Sequence, residues 1–76
     1  MRMTPRQREV YVFVRQYWKM YGYAPSLQDI AMGLGLNSKG NVHRLVKVLL
    51  DKGALVREEN KKRTLRGRKD VLENML

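Results

Sequence analysis

The side chains best suited to recognising a nucleic acid lie close together near the middle of the chain. Asn41, His43 and Arg44 fall within one helical turn of each other in the sequence. The asparagine amide and the arginine guanidinium match the hydrogen-bonding edges of adenine and guanine in the major groove. Histidine can donate or accept a hydrogen bond there, and Gly40 would let the backbone approach closely. These four residues are candidates for base contacts; the competing interpretation is an ordinary solvated helix face.

Lysine and arginine side chains around this group are suited to phosphate contacts, which need charge but no base-specific geometry. A helix predicted to start just after Ser26 also offers free backbone N–H groups, and such groups attract anions. The predicted phosphate-binding residues are Ser26, Gln28, Lys39, Lys47, Arg57, Lys61, Lys62 and Arg63.

The charge of the chain favours a polyanionic partner. The formal net charge is +9 over 76 residues. Residues 37–69 hold eleven lysines and arginines against three acids, so the charge is concentrated in the second half. A chain this short can form one small domain with a single core, but not a deep catalytic cleft as well. The alternative is a basic surface with no partner.

Several other classes of protein are disfavoured. The chain has no cysteine and one histidine, so neither a thiol nucleophile nor a metal cluster is predicted. Glu58 and Glu59 fit a turn better than a catalytic pair, and Gly33-Leu-Gly35 lacks the Lys-Ser/Thr of a nucleotide loop. We therefore expect no enzymatic activity and no cofactor. Apolar runs are far shorter than a membrane span and no secretion signal is evident, which favours a cytoplasmic protein, nucleoid-associated when bound to DNA.

Apolar periodicity predicts a long first helix at about residues 5–21. Thr4 is suited to cap it, Pro5 fits its first position, and Gly22 should end it. The residues expected to face the core are Val10, Phe13, Val14, Tyr17 and Tyr21.

Two further helices are predicted at about residues 27–34 and 39–52. Ser26 and Ser38 can cap them, and Gly35 can adopt the left-handed conformation that a sharp turn between them needs. A helix, a tight turn and a second helix in a very basic chain form the motif that places a helix in the DNA major groove.

After Gly53 the spacing of apolar residues is no longer that of a helix. Strands are predicted at about residues 54–57 and 63–66, joined by a polar turn, with Leu55 and Leu65 facing inward. Residues 23–25 should be extended because of Pro25, and could add a short edge strand. The predicted fold is α+β and mainly α: a winged helix-turn-helix of three helices and a small β-hairpin wing, in one domain over residues 1–69.

Residues 70–76 form a short tail that is acidic and has apolar residues on one helical face. It is interpreted as a frayed terminus, as a short helix that completes the core, or as a weak homodimer contact. A dimer would form through helix 1 or through Val71, Leu72, Met75 and Leu76.

Several separated motifs resemble the N-terminal DNA-binding domain of LexA repressors. They lie at Thr4–Val10, Gly22–Ser26, Asp29–Ala31, Leu34–Leu36, Ser38 and Leu45–Gly53. The resemblance covers about residues 4–66 and implies that the third helix enters the major groove of an operator. It also implies base contacts at Ser38, Gly40, Asn41, His43 and Arg44. The self-cleaving, dimerising domain of that family has no counterpart in these 76 residues, so no autoproteolysis is expected.

The predicted function is sequence-specific binding of double-stranded DNA by a small stand-alone transcriptional regulator of the repressor type. Two other classes stay open. A non-specific or architectural nucleic-acid binder would show no preference among duplex sequences. A winged-helix protein-interaction module would use its basic face on an acidic partner and would bind no duplex even at low salt.

Overall fold

Three helices and a two-stranded antiparallel sheet make up the computed structural model, which describes residues 2–57 and 65–67. The elements are α1 (Pro5–Tyr21), α2 (Leu27–Gly33), α3 (Lys39–Asp51), β1 (Leu55–Val56) and β2 (Arg66–Gly67). In the sheet, Leu55 pairs with Gly67 and Val56 with Arg66. This is the predicted winged helix-turn-helix. No helix in the described ranges is both long and apolar enough to span a membrane.

The bounds of α1 are those that its local signals predict. The Thr4 hydroxyl accepts a hydrogen bond from the Gln7 backbone N–H at 3.2 Å, and the Gln7 side chain accepts from the Thr4 N–H at 3.0 Å. This reciprocal pair is a capping box, which satisfies two otherwise free donors at the start of a helix. At the other end Gly22 has φ 76°, a left-handed conformation that stops the helix.

The turn between α2 and α3 is also formed as expected. Gly35 adopts φ 67°, and the Leu36 N–H donates to the Ala31 carbonyl at 2.8 Å. Each helix ends one residue earlier than predicted, α2 at Gly33 and α3 at Asp51. Differences of this size are usual where a last turn loosens into a non-helical cap.

One core lies between the three helices and the sheet. Its fully buried members include Val10, Tyr11, Val14, Ile30, Val42, Leu49 and Leu55. Leu65, at 9% exposure, joins them from the returning strand, so the two leucines of the hairpin point inward as predicted.

The tyrosines of α1 correct the predicted core. Tyr21 was expected inside, but 53% of its surface is exposed, whereas Tyr11 is fully buried. Tyr21 is the last residue of α1, and its ring packs on the half-buried Tyr17 and the exposed Tyr23, with ring centroids 4.5 Å and 6.0 Å away. It therefore joins a group of tyrosines at the surface rather than the core. Phe13 and Tyr17 are partly buried.

β1 is shorter than predicted, and residues 23–25 form no strand in the described part of the chain. Ala24 and Pro25 lie in the connection from α1 to α2 and are buried there. The predicted turn of the wing and the tail at residues 70–76 lie outside the described residues, as do residues 63 and 64 of the second predicted strand.

Candidate nucleic-acid interface

Helix α3 has a buried apolar face and an exposed polar face. Val42, Val46 and Leu49 point into the core at 0%, 5% and 0% exposure. Most of the other residues from Lys39 to Lys47 are exposed, because a helix with 3.6 residues per turn directs them away from the core, while Leu45 is partly buried. That exposed set comprises Lys39, Gly40, Asn41, His43, Arg44 and Lys47. The structure therefore brings together on one open surface four of the five residues predicted to contact bases.

Ser38, the fifth, is half-buried at the start of α3. Its hydroxyl oxygen accepts a hydrogen bond from the Asn41 N–H at 3.3 Å and so caps the helix. The hydroxyl proton stays available as a donor, because a serine hydroxyl carries one donor and two acceptor sites. The cap holds the first turn of α3 in place, and that turn carries Gly40 and Asn41.

Two glycines in the helix-turn-helix differ in what they do for the fold. A Cβ on Gly33 would lie 2.1 Å from Cε2 of Phe13, so α1 can approach the end of α2 only because the side chain is absent. A Cβ on Gly40 would meet only the Ser38 Oγ, at 3.4 Å. The fold thus has room for a larger residue at position 40.

At the start of α2, the predicted anion site is partly occupied by the protein itself. The Ser26 hydroxyl accepts from the Asp29 N–H at 3.0 Å, and the Asp29 carboxylate accepts from the Ser26 N–H at 3.0 Å. In the described residues, the Leu27 and Gln28 N–H groups donate to no protein acceptor. Gln28 is exposed, while Ser26 is half-buried. The carboxylate lowers the attraction of this end for a phosphate, which leaves Gln28 as the better placed of the two predicted residues.

A tyrosine ties this cap to α1. The Tyr17 hydroxyl donates to Oδ2 of Asp29 at 3.3 Å. Burial, together with the hydroxyl of Tyr23 and the negative charge of Asp29, raises the pKa of Tyr17 to about 12. Tyr17 therefore stays a protonated donor at physiological pH and links α1 to α2.

The basic side chains beside α3 are free to bind an external anion. Lys39, Arg44, Lys47 and Arg57 are exposed, and none has an acidic partner in residues 2–57 and 65–67. Within those ranges the one ion pair joins Arg6 to Glu9 at 2.8 Å. The other predicted phosphate ligands, Lys61, Lys62 and Arg63, lie outside the described residues.

Lys52, in contrast, forms hydrogen bonds within the protein. Its Nζ donates to the Arg2 carbonyl and to Oε1 of Gln7, both at 3.0 Å, which ties the end of α3 to the start of α1. The same Oε1 accepts from the Thr4 N–H, so this contact also supports the cap of α1. Sequence reasoning missed the role of Lys52, because its partners lie some fifty residues away along the chain.

Trp18 is a second residue whose partner was not predicted. Its indole N–H donates a hydrogen bond to the Leu65 carbonyl, directly before β2. The sequence offered one signal, since Trp18 follows Val14 by four residues and Tyr11 by seven, which places it beside the core face of α1. The partner itself could not be found from that spacing.

The part of the chain that the structure describes has no cluster of metal-ligating side chains. It contains no group of three His, Asp or Glu side chains that could hold a metal ion, and no polar or charged residue in it is buried.

Comparison with known proteins identifies similar sequences. A family model described as the LexA DNA binding domain matches residues 1–64. The LexA repressor of Koribacter versatilis is 41% identical over 63 residues, which are 83% of this chain and 30% of that protein. The LexA repressor of Pelotomaculum thermopropionicum is 36% identical over 72 residues, covering 95% of this chain and 34% of that protein. The LexA repressor of Frankia alni is 40% identical over 63 residues, covering 83% and 25%. The chain thus spans about a third or less of these curated relatives.

Proposed function

Because the chain belongs to the LexA DNA-binding domain family, we propose that α3 enters the major groove of double-stranded DNA and recognises a specific sequence there. The observation that carries the proposal is the division of α3 into a buried apolar face and an exposed face. The exposed face holds Asn41, His43 and Arg44 without partners in the described part of the chain. Side chains of these types form paired hydrogen bonds with base edges.

Each exposed residue of α3 has a distinct role in the proposal. Arg44 donates to guanine, and Asn41 both donates to and accepts from adenine. His43 donates or accepts according to its tautomer. Gly40 leaves space for the backbone to lie against a base edge or the sugar, and the Ser38 hydroxyl donates at the same end of the helix.

Phosphate contacts hold this helix in its groove. Lys39 and Lys47 flank the base-contacting residues along α3, and Arg57 lies just after β1. With Lys61, Lys62 and Arg63 in the wing and Gln28 and Ser26 at the start of α2, they would follow the DNA backbone. Each contact of this kind releases condensed counterions, so affinity should fall steeply as salt is raised.

At the level of biology, the proposal is a non-enzymatic transcriptional regulator that represses by occupying its operator. Support comes from the relatives, which are named LexA repressors. A single winged helix makes few base contacts, so a homodimer on two half-sites would increase both affinity and specificity. The surfaces proposed for it are helix α1 and the residues Val71, Leu72, Met75 and Leu76.

The decisive experiment is selection from random duplex DNA at near-physiological salt, followed by sequencing of the retained fraction. The expected result is an enriched motif, and a two-fold symmetric motif would reveal two bound copies. Binding without enrichment would contradict sequence recognition and support the second candidate, a non-specific binder, which the charge of +9 favours. Absence of any retained duplex at low salt would reject both.

A further inference from the structure

A second basic surface lies on α1, apart from the one on α3. Arg8, Arg15 and Lys19 follow one another at spacings of seven and four residues within α1. Because a helix turns by about 100° per residue, these spacings place the three side chains within about 40° of each other around the axis. Arg8 and Lys19 are exposed, and Arg15 is half-buried. These three residues, here called the α1 stripe, form a row about 16 Å long at 1.5 Å per residue.

The charges of the α1 stripe are not balanced by acids in residues 2–57 and 65–67. The ion pair within those ranges joins Arg6 to Glu9, and no member of the α1 stripe takes part in it. Arg15 and Lys19 are four residues apart, and like charges at this spacing destabilise a helix. The position of Lys19 in the last turn is favourable for the helix dipole, but that reason does not apply to the other two. An external anion would relieve the repulsion.

The α1 stripe and the exposed face of α3 lie on different sides of the domain. On α1, Val10 and Val14 face the core, and the 100° spacing directs the stripe away from them. On α3, Val42 and Val46 face the same core, and the exposed residues lie opposite them. A duplex bound by α3 therefore leaves the α1 stripe free for another ligand.

We propose that the α1 stripe binds the phosphate backbone of a second double-stranded DNA segment, so that one domain joins two duplexes. The inference rests on the proposed function, since α3 holds the first duplex. Lysine and arginine suit phosphate contacts, which carry no sequence information. Duplex DNA fits better than an acidic protein segment, because it carries a negative charge for about every 1.7 Å of its axis and so meets a row of cations in any register.

The test is capture of a second duplex by protein already bound to a first one. The duplex enriched by selection is immobilised and loaded with protein, and a fluorescent scrambled duplex of equal length is then added. The double variant Arg8→Gln/Lys19→Gln removes two exposed charges of the α1 stripe. Arg2→Gln/Arg6→Gln is the matched control, because it removes the same charge from two exposed arginines outside the stripe. Circular dichroism at the assay temperature confirms that both variants are folded.

The wild-type chain and the control should both capture the second duplex, and the Arg8/Lys19 variant should capture it several-fold more weakly. For that variant the slope of log capture affinity against log salt should be smaller by about 1.8, since each of two lost phosphate contacts removes about 0.9. Its affinity for the selected duplex and its preference over the scrambled one, measured by fluorescence anisotropy, should stay close to those of the control.

The ways of failing are distinguishable. If the immobilised duplex retains no wild-type protein even at low salt, the proposed function is overturned, and the inference with it. Protein that is retained but captures no second duplex overturns the inference alone. Equal capture by the two double variants does the same, because another surface or a second copy of the chain then holds the second duplex.

Two further outcomes would assign the α1 stripe to a different ligand and overturn the inference. If the Arg8/Lys19 variant loses affinity for the immobilised duplex as strongly as it loses capture, the stripe contacts the first duplex. If fluorescent polyglutamate is captured in place of the second duplex, and the Arg8/Lys19 variant does not capture it, the partner is an acidic protein segment.

Discussion

The two helices of the helix-turn-helix are both capped by a serine, but their first turns differ. Ser26 caps α2 and Ser38 caps α3, each by accepting from the backbone N–H three residues on. In α2 that third residue is Asp29, whose carboxylate completes a capping box and is held by Tyr17. In α3 it is Asn41, whose side chain is left free in the described part of the chain.

This difference changes the charge at the two helix starts. The N-terminus of a helix carries a partial positive charge, which an acid in the first turn offsets. Asp29 does this in α2, whereas the first turn of α3 contains no acid and begins with Lys39. A capping serine therefore does not by itself predict an anion site, and the residue three positions later decides whether the end is open.

The largest effect is expected when α3 is given the same capping box as α2. Asn41→Asp should close the capping box with Ser38 and add up to about 1 kcal/mol to the free energy of unfolding, because a carboxylate is favourable at this end. The same change should weaken binding to the selected duplex by about 1–3 kcal/mol through the lost base contact, and further through the negative charge placed beside DNA. Denaturant unfolding and fluorescence anisotropy measure the two effects. A variant that bound as tightly as wild type would exclude Asn41 from the interface.

A second change tests base contact against phosphate contact. Arg44→Ala should cost roughly 1–3 kcal/mol on the selected duplex and little on a scrambled one, whereas Lys62→Ala should weaken both alike and reduce the salt slope by about 1. Parallel titrations of both duplexes at several salt concentrations measure this. Equal losses on the two duplexes for Arg44→Ala would show that this arginine binds phosphate.

The reverse exchange in α2 should affect stability rather than recognition. Asp29→Asn weakens the hydrogen bonds from Ser26 and Tyr17, and we expect the free energy of unfolding to fall by about 1 kcal/mol. Thermal unfolding monitored by circular dichroism gives this value. The preference for the selected over the scrambled duplex should be unchanged, and a clear drop in that preference would mean that α2 takes part in base recognition.

The smallest effect is expected from replacing Gly40, and the matching replacement of Gly33 shows how the two glycines differ. Gly40→Ala should raise the free energy of unfolding by up to about 1 kcal/mol through helix propensity, yet lower affinity for the selected duplex because the added methyl group faces the DNA. Gly33→Ala is the matched control, and it should destabilise the fold by collision with Phe13. If Gly40→Ala stabilised the protein and bound DNA normally, no close backbone approach would occur at that position.

Local signals explain which parts of the fold could be predicted. The start and end of α1 depend on Thr4, Pro5 and Gly22, and all three act through bonds within a few residues. The exposed face of α3 followed in the same way once Val42 and Val46 were assigned to the core. The exposure of Tyr21 could not be predicted, because its ring packs on Tyr23 beyond the end of the helix, a contact that helical spacing does not encode.

Long-range contacts were equally inaccessible to sequence reasoning. The bond from Trp18 to Leu65 joins residues 47 positions apart, and no local pattern encodes such a partner. For the candidate site, residue types identified a surface that could contact bases. They do not identify the bases, because the choice depends on how α3 is oriented in the groove.

The hydrogen bonds of Lys52 add to the core contacts that fix the direction of α3. Lys52 fixes one end of the helix to the Arg2 carbonyl and Gln7, while Asn41 lies about 16 Å away along the axis at 1.5 Å per residue. A tilt of about 5° at the fixed end would displace Asn41 by roughly 1.4 Å, more than the half ångström within which a binding group must be held. Lys52, at the opposite end of α3 from Asn41, thus helps to orient the residues that are proposed to enter the groove.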